Sequence, residues 1–221
     1  MFSFFKKKKY PEFWNTYVSK VENCQKYSTF ENIRFVALDT ETTGFDFNND
    51  RVLSIGAVAV QANKIIVSDY FEIYIEQEVF NKETVKIHGI RRNGTETKLS
   101  EKEALIQFLE YLDDAVILAH HTSFDVGMIN MALERQGLGS LISKSVDTNY
   151  IHKKMVSDSN FGKIYSLDEL SEIYNVKTHD RHTASGDALI TAQLFLKLLG
   201  KYRKNYALNL NDLINSHYPF S

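Results

Sequence analysis

Cysteine and proline are nearly absent from this chain of 221 residues. The single cysteine, Cys24, excludes an internal disulfide and fits a reducing compartment. The only two prolines, Pro11 and Pro219, leave no segment typical of a proline-rich linker. No run of about 18 apolar residues occurs. The N-terminal sequence MFSFFKKKKY places apolar residues before the lysines, which is the reverse of a secretory signal. We therefore expect a cytoplasmic protein with no membrane contact.

A large excess of charge is also lacking, since 26 basic and 28 acidic residues give a net charge of −2. This balance argues against a protein that coats nucleic acid through bulk charge. It remains compatible with an enzyme that holds a short piece of nucleic acid locally, with a bound metal supplying positive charge. The length and the hydrophobic content of 43% suffice for one domain with a full core.

Apolar patterning predicts the secondary structure of the central part of the chain. Apolar runs predict strands at about 33–39, 52–60, 64–75, 115–120 and 144–148. Helical spacing predicts helices over 101–114, 123–137, 166–174 and 183–200. The polar turn QANK should join the second and third strands in a hairpin, and Ser166 with Glu169 has the spacing of a capping box. Antiparallel strands followed by strands alternating with helices indicate a mixed α/β sheet.

Both ends of the chain differ from this central part. The segment EFWNTYVSKVENCQKY predicts a helix that packs its apolar side on the main domain through Phe13, Trp14, Tyr17 and Val21. Membrane docking is the alternative, and the short basic run Lys6–Lys9 disfavours it. The tail after Gly200 is polar and favours a last helix at about 205–216. The chain thus divides into a helical extension (1–32), a main domain (33–200) and a tail (201–221).

The stretch RFVALDTETTGFD ends a continuous apolar run with two acids, Asp39 and Glu41. Such a run suits a central strand covered on both faces, and acids two residues apart project to the same side of an extended backbone. They repel each other unless a cation lies between them, and a divalent metal is the obvious candidate. Capping of the turn after the strand is the alternative. Gly44 permits close backbone approach, and Thr42 and Thr43 offer hydroxyls and amides to a bound polar group.

Two further acids lie near predicted helix starts. Asp125 follows the strand at 115–120, and its alternative role is to cap a helix. Asp187 lies five residues after His182, in a segment whose spacing indicates burial. A buried acid is costly unless it is paired or metal-bound. A position on the polar side of the helix is the alternative for Asp187.

Acids from strand ends and helix starts converge readily at one edge of an α/β sheet. Four carboxylates crowded there need divalent cations, and ligation by oxygen alone favours Mg²⁺ or Mn²⁺ over zinc. Two such ions about 3.5–4 Å apart are the usual apparatus for in-line attack on a phosphodiester. A histidine that titrates near neutrality can deprotonate the attacking water.

Three motifs, DTETTG, HHTSFD and HTASGDA, resemble the exonuclease motifs of the DEDDh family, which includes the proofreading epsilon subunit of bacterial DNA polymerase III and ribonuclease T. The resemblance spans about residues 33–198 with the motifs in the right order. It implies a ribonuclease H-like fold, with a five-stranded mixed sheet and helices on both faces. It also implies hydrolysis of single-stranded DNA or RNA from the 3′ end, with release of nucleoside 5′-monophosphates and two Mg²⁺ (or Mn²⁺) ions as cofactors.

The resemblance assigns a role to each motif residue. Asp39 would bridge both metals, and Glu41 and Asp187 would complete the ligands of the first metal. Asp125 would hold the second metal, directly or through water, and His182 is identified as the general base. The residues predicted to contact substrate are Thr40, Thr42, Thr43, Gly44, Ile87, His88 and Phe124. The alternative for His88 is an ordinary turn histidine, and for Phe124 a core residue.

One motif residue departs from the family pattern, because His121 stands where asparagine is usual. The position is not a metal ligand, so the chemistry should survive, but a hydrogen bond that shapes the site is in doubt. Three alternatives to a DNA exonuclease stay open: an exoribonuclease that trims RNA, a catalytically silent module that binds 3′ ends, and a proofreading subunit. A polymerase partner also stays open, but the tail contains no evident clamp-binding motif, so we favour a stand-alone exonuclease in repair or turnover over a replicative subunit.

Overall fold

The computed structural model describes residues 9–23, 29–156 and 163–214, and a six-stranded sheet runs through this part of the chain. The strands are β1 (Phe35–Thr42), β2 (Val52–Gln61), β3 (Lys64–Ile75), β4 (Lys98–Leu99), β5 (Val116–Ala119) and β6 (Ser145–Asp147). Their order across the sheet is β4-β3-β2-β1-β5-β6. β2 is antiparallel to β1 and β3, whereas β5 is parallel to β1 and β6. β1 is therefore a central strand of a mixed sheet, as its apolar run predicts.

The mixed α/β sheet with helices on both faces is confirmed, but five strands was one too few. β4 has two residues and pairs in parallel with Tyr74 and Ile75 at the end of β3. Two residues cannot display an alternating pattern in the sequence. The predicted hairpin of β2 and β3 is present, and its turn holds Ala62 and Asn63 at φ 48° and 59°. Positive φ at both positions matches the twist of the flanking strands.

The helices are α1 (Glu12–Asn23), α2 (Lys82–His88), α3 (Glu101–Leu112), α4 (Thr122–Arg135), α5 (Thr148–Met155), α6 (Leu167–Tyr174), α7 (Ala184–Tyr202) and α8 (Leu210–Leu213), with a 3₁₀ turn at Phe30–Asn32. The predicted capping box at the start of α6 is present. α7 continues to Tyr202 instead of ending at Gly200, because Gly200 keeps helical backbone. α2 and α5 were not predicted, because both are short and neither has the capping box that marks α6, which is as short as α5.

Alternation of side chains along β1 divides the core into two layers. Leu38 belongs to the layer formed with α1, α3 and α4, and Ala37 to the layer formed with α5, α6 and α7. The same alternation continues through the end of the strand, so Asp39 and Glu41 point toward α7 while Thr40 points toward α4. The two acids lie within β1 and not after its end.

The chain ends described by the structure pack on the main domain. Trp14 and Tyr17 of α1 are buried, and Tyr17 Oη accepts hydrogen bonds from the amides of Ile142 and Ser143. The predicted packing role of the N-terminal helix is thus observed. α8 is shorter than the helix predicted at 205–216, and its last residue, Leu213, is fully buried.

Some predictions fall outside the described residues. They are the helix continuation at 24–27, most of the lysine run and the tail from 215 onward. The segment boundaries at 32 and 200 stay predictions. In the described ranges, no helix combines the length and the apolar character needed to cross a membrane.

Candidate active site

Asp39 and Glu41 meet Asp187 where β1 approaches the start of α7. One carboxylate oxygen from each lies within 4.8 Å of the other two. Gly56 of β2, which pairs with Asp39, makes the close approach possible. A Cβ at position 56 would lie 2.1 Å from the backbone nitrogen of Ser185 in the first turn of α7. The absent side chain therefore lets the helix rest on the sheet and brings Asp187 to the acids of β1.

Asp125 reaches the same edge of the sheet from the opposite face of β1. It is buried in the first turn of α4, and its Oδ1 accepts hydrogen bonds from the Thr40 amide (3.0 Å) and hydroxyl (2.8 Å). Thr40 faces α4 because it lies between Asp39 and Glu41 in the strand alternation. Asp125 thus lies beside the three converging carboxylates, and Thr40 fixes its position.

Burial disfavours the ionised forms of Asp39, Glu41 and Asp125. Burial, followed by the charges of the neighbouring carboxylates, raises the pKa of Asp39 well above its usual range. Burial and the charge of Asp187 raise the pKa of Glu41 to about 7. Burial raises the pKa of Asp125 to about 7, although its hydrogen bonds from Thr40 act in the opposite direction. A cation bound among these groups would favour the ionised forms.

Asp187 carries a carboxylate oxygen that lacks a partner. The residue is 6% exposed, and Oδ1 is buried with no hydrogen-bond partner among the described residues. Leaving such an oxygen unsatisfied costs about 1–3 kcal/mol or more. Carboxylate oxygens without sulfur form the donor set that suits Mg²⁺ or Mn²⁺. The residues therefore fit a divalent ion between Asp39, Glu41 and Asp187.

The segment before α7 brings His182 and Arg181 to the acids. Thr183 caps α7 with its hydroxyl. His182 has a φ of 63°, and its amide donates to Asp187 Oδ2 at 3.3 Å. The guanidinium of Arg181 pairs with the same Asp187 oxygen and with Asp168 of α6. The chain therefore places His182 next to the acids, as the motif spacing suggests.

Arg181 and Asp168 were not predicted from the sequence. The position of Arg181 directly before His182 in the sequence was a signal that could have identified it. No spacing rule connects Arg181, in the turn before α7, to Asp168, which lies 13 residues earlier on α6.

The family model for exonucleases, RNase_T, matches residues 36–195. The chain belongs to this exonuclease family. The DEDDh resemblance read from the three motifs is thereby confirmed. The DNA polymerase III PolC-type protein of Thermotoga petrophila is 30% identical over 195 residues, which cover 88% of this chain and 14% of that protein. The corresponding protein of Caldanaerobacter subterraneus is 33% identical over 171 residues, covering 77% of this chain and 12% of the relative. This exonuclease domain therefore spans about one seventh of the curated relatives it matches.

A solved structure shares the fold of the exonuclease domain. Escherichia coli exonuclease I, solved in complex with a dT13 oligonucleotide, superposes with a TM-score of 0.68 at 14% identity. The match covers 78% of this chain and 42% of exonuclease I. The likeness confirms the ribonuclease H-like fold.

The threonine hydroxyls of the first motif donate hydrogen bonds to other groups of the exonuclease domain. Thr42 donates to the Gly44 carbonyl at 2.7 Å, and Thr43 donates to Asp50 Oδ1 at 2.7 Å. A Cβ at position 44 would lie 2.4 Å from Asp50 Oδ2, so Gly44 makes room for that carboxylate. The hydroxyls of Thr40, Thr42 and Thr43 hold the site in shape. Their predicted substrate contacts, and that of Gly44, stay predictions.

Phe124 is part of an aromatic group beside the acids. Its ring centroid lies 5.6 Å from that of Phe45 and 5.9 Å from that of Phe47. Phe45 is 79% exposed, which is unusual for a phenylalanine. Phe45 and Phe47 were not predicted as site residues, although they directly follow the first motif in the sequence.

The predicted contacts in α2 have different surroundings. Ile87 is exposed at the surface, whereas His88 is buried and its Nδ1 accepts a hydrogen bond from the Ile90 amide at 3.0 Å. This bond is the geometry of a turn histidine, the alternative considered for His88. The substrate contacts predicted for Ile87 and His88 both stay predictions.

The two histidines of the second motif anchor the segment that leads to α6. Nε2 of His120 and Nε2 of His121 lie 2.9 Å and 3.1 Å from the Tyr165 carbonyl oxygen. Burial lowers the pKa of His120 to about 3, so its ring is neutral and donates from Nε2 while Nδ1 accepts from the Thr148 hydroxyl. His121, in place of the usual asparagine, therefore bonds the chain itself. Asp147 caps α5 and accepts from the first amide of α4, which is a structural role.

Proposed function

We propose that this domain is a metal-dependent 3′–5′ exonuclease that hydrolyses terminal phosphodiesters of DNA to nucleoside 5′-monophosphates. The observation that carries the proposal is the convergence of Asp39, Glu41 and Asp187 within 4.8 Å, with Asp125 beside them. DNA is the favoured substrate because the relatives at 30–33% identity are DNA polymerases.

Two Mg²⁺ or Mn²⁺ ions are the proposed cofactors. Asp39, Glu41 and Asp187 would hold one ion, and Asp39 with Asp125 would hold the other. Bound ions supply charge neutralisation at the phosphate and make water a better nucleophile. The unpartnered Oδ1 of Asp187 supports this assignment from the chain itself.

His182 is the proposed general base. Its imidazole takes a proton from the attacking water, whose oxygen forms the new bond to phosphorus. The bond between phosphorus and O3′ of the remaining strand breaks, and a proton is returned to that oxygen. The terminal nucleotide leaves with a 5′-phosphate. Support for this role comes from the bond between its backbone amide and Asp187 Oδ2, which keeps His182 beside the acids, and from the exposure of its side chain.

The exposed aromatic rings support a single-stranded 3′ end as the substrate. The exposed ring of Phe45 lies against the partly buried ring of Phe124, which directly precedes Asp125, and bases freed from a duplex stack well on aromatic side chains. Such stacking tolerates any base, as a sequence-independent exonuclease requires.

Digestion of 5′-labelled single-stranded DNA and matching RNA, with Mn²⁺, Mg²⁺ or EDTA, tests the proposal. A metal-dependent ladder that shortens from the 3′ end is expected with DNA. Asp39→Asn should reduce cleavage about 10²-fold or more, as expected for loss of a group that stabilises transition-state charge. The control Glu110→Gln removes an exposed acid of α3 and should cleave like the wild type.

Each contrary result identifies an alternative. Faster digestion of RNA would make the domain an exoribonuclease. Binding of 3′ ends without cleavage in either metal would make it a silent binding module. Full activity of Asp39→Asn would overturn the site assignment.

The PolC-type relatives also support a second candidate role, removal of mismatched nucleotides beside a polymerase. A primed duplex with a matched or mismatched 3′ terminus distinguishes the roles. Faster removal of the mismatched nucleotide supports proofreading, whereas equal rates on both termini favour a stand-alone exonuclease.

A further inference from the structure

Arg181 joins two acids that belong to different helices. Its Nε and Nη2 lie 2.7 Å and 2.9 Å from the two carboxylate oxygens of Asp168 on α6. Its Nη1 contacts Oδ2 of Asp187 on α7. The guanidinium therefore binds Asp168 with two bonds and Asp187 with one. This planar two-bond geometry is the strong form of an arginine–carboxylate pair.

The contact places a permanent positive charge beside the acidic group formed by Asp39, Glu41 and Asp187. An arginine side chain stays protonated at any relevant pH. Among the residues that the structure describes, Arg181 makes the ion pair with Asp187, the carboxylate that also approaches Asp39 and Glu41. A divalent ion bound through the unpartnered Oδ1 of Asp187 would share that carboxylate with the guanidinium on Oδ2, and the two cations would repel each other.

The two acids differ in how firmly they can hold Arg181. Asp168 lies outside the acidic group, its side chain is mostly exposed, and it offers both oxygens. Asp187 is buried and offers one oxygen. If a cation takes Asp187, Arg181 keeps its two bonds to Asp168. Asp168 thus acts as a tether: its two bonds keep the guanidinium beside the site when a cation occupies Asp187.

The backbone around Arg181 is held in an unfavourable conformation. Asp180 and His182, on either side of it, have φ values of 53° and 63°. Residues with a Cβ rarely adopt this left-handed region unless other contacts stabilise it. The ion pairs of Arg181, together with the bond from the His182 amide to Asp187, supply such contacts.

We propose that Arg181 is a positioning residue that serves as the counter-ion of Asp187 before metal binds and, tethered by Asp168, holds the His182 loop in place. This inference rests on the proposed metal site. The guanidinium at Oδ2 and a metal at Oδ1 are then two cations on one carboxylate, so the binding of each weakens the other. Removal of the guanidinium should tighten metal binding while it loosens the loop.

Calorimetric titration with Mn²⁺ alone, without nucleic acid, tests the inference. Arg181→Gln should bind Mn²⁺ about five-fold more tightly than the wild type, the lower range of measured couplings between sites. Its melting temperature in EDTA should fall, because Asp187 then lacks its counter-ion. The control Arg203→Gln removes an arginine whose partner, Glu31, is distant from the acids in the fold, and it should bind Mn²⁺ like the wild type.

The direction of the change separates this role from a merely structural one. Loss of a structural residue would weaken metal binding, so tighter binding is the informative result. The conservative Arg181→Lys keeps the charge but cannot span both carboxylates, and its Mn²⁺ affinity should lie between those of the wild type and Arg181→Gln. In digestion assays Arg181→Gln should lower kcat more than it raises KM, because the loop that carries His182 is loosened.

Two outcomes would overturn the inference. Unchanged or weaker Mn²⁺ binding by Arg181→Gln would contradict the repulsion between the two cations, and Arg181→Lys carries the same test if the glutamine variant does not fold. Absence of Mn²⁺ binding by the wild type would instead overturn the proposed function itself, and this inference with it.

Discussion

Thr40 holds Asp125 with two hydrogen bonds, one from its amide and one from its hydroxyl. Thr40→Val removes only the hydroxyl bond. Because the acceptor is a buried carboxylate, we expect a loss of about 1–3 kcal/mol in the free energy of unfolding. Urea denaturation in EDTA measures it.

The matched control for Thr40 is Thr16→Val, which alters an exposed threonine of α1. Exposed substitutions of this kind usually stay within about 0.5 kcal/mol. Equal losses in the two variants would mean that the Thr40 hydroxyl does not stabilise Asp125.

Phe45 presents an exposed ring next to that of Phe124. Phe45→Ala should raise the KM for a single-stranded oligonucleotide about five-fold or more, since base stacking on an aromatic side chain is worth about 1–3 kcal/mol. The melting temperature should change little because so much of the ring is already exposed. Steady-state kinetics with oligo(dT) provide the measurement.

Val67→Ala removes an exposed apolar side chain of β3 and serves as the control for Phe45. It should leave KM unchanged. If Phe45→Ala also left KM unchanged, the aromatic group would have no role in holding the 3′ end.

At the scale of elements, contact between α7 and β2 determines where Asp187 lies. Gly56→Ala would place a Cβ 2.1 Å from the Ser185 nitrogen and force the helix start away from the sheet. Overpacking of this kind costs about 1–3 kcal/mol. The displacement should also weaken Mn²⁺ binding, because Asp187 moves away from Asp39. Thermal unfolding and calorimetric titration measure the two effects.

Gly200→Ala is a control on the same helix, because the described residues outside the adjacent helix backbone place nothing within 4 Å of the added Cβ. Alanine is favoured over glycine in a helix interior by about 0.5–1 kcal/mol, so this variant should be slightly more stable. Normal Mn²⁺ affinity in Gly56→Ala would show that the close approach of helix and sheet is not needed for the site.

At the scale of the whole molecule, the buried acids oppose folding as they ionise. Burial and the charge of Asp187 raise the pKa of Glu41 to about 7, so its contribution to stability is present below its unfolded pKa and is lost as pH rises through about 7. Glu41→Gln should therefore melt at a higher temperature than the wild type at pH 8 in EDTA, and at nearly the same temperature at pH 5. A gain of a few degrees is expected, since about 1 kcal/mol shifts the melting temperature by roughly 2–4 °C at this size.

Mn²⁺ should reverse this difference by stabilising the wild type at pH 8 more than Glu41→Gln. Comparing variants cancels the opposite effect of His120, whose lowered pKa is common to both. Glu110→Gln should show no pH-dependent difference. Equal melting temperatures of wild type and Glu41→Gln at pH 8 would contradict the repulsion among the acids.

The sequence by itself determined the strand carrying Asp39 and Glu41, the helix starts carrying Asp125 and Asp187, and the order of the motifs. Local patterns suffice there, because strand alternation and helix periodicity depend on residues close together in the chain. The short helices α2 and α5 lack the capping box that marks the equally short α6, and the two residues of β4 are too few to alternate.

Only the tertiary structure decided which oxygens meet and what satisfies them. Arg181 pairs with Asp168, and Thr40 donates a hydrogen bond to Asp125. The residues of each pair are too far apart in the sequence for a local pattern to predict the contact. The hydroxyls of Thr42 and Thr43 bond within the chain, although the sequence suggested that they face a ligand. Hydrogen bonds and ion pairs depend on distance in space, and packing of α7 against Gly56 sets that distance here.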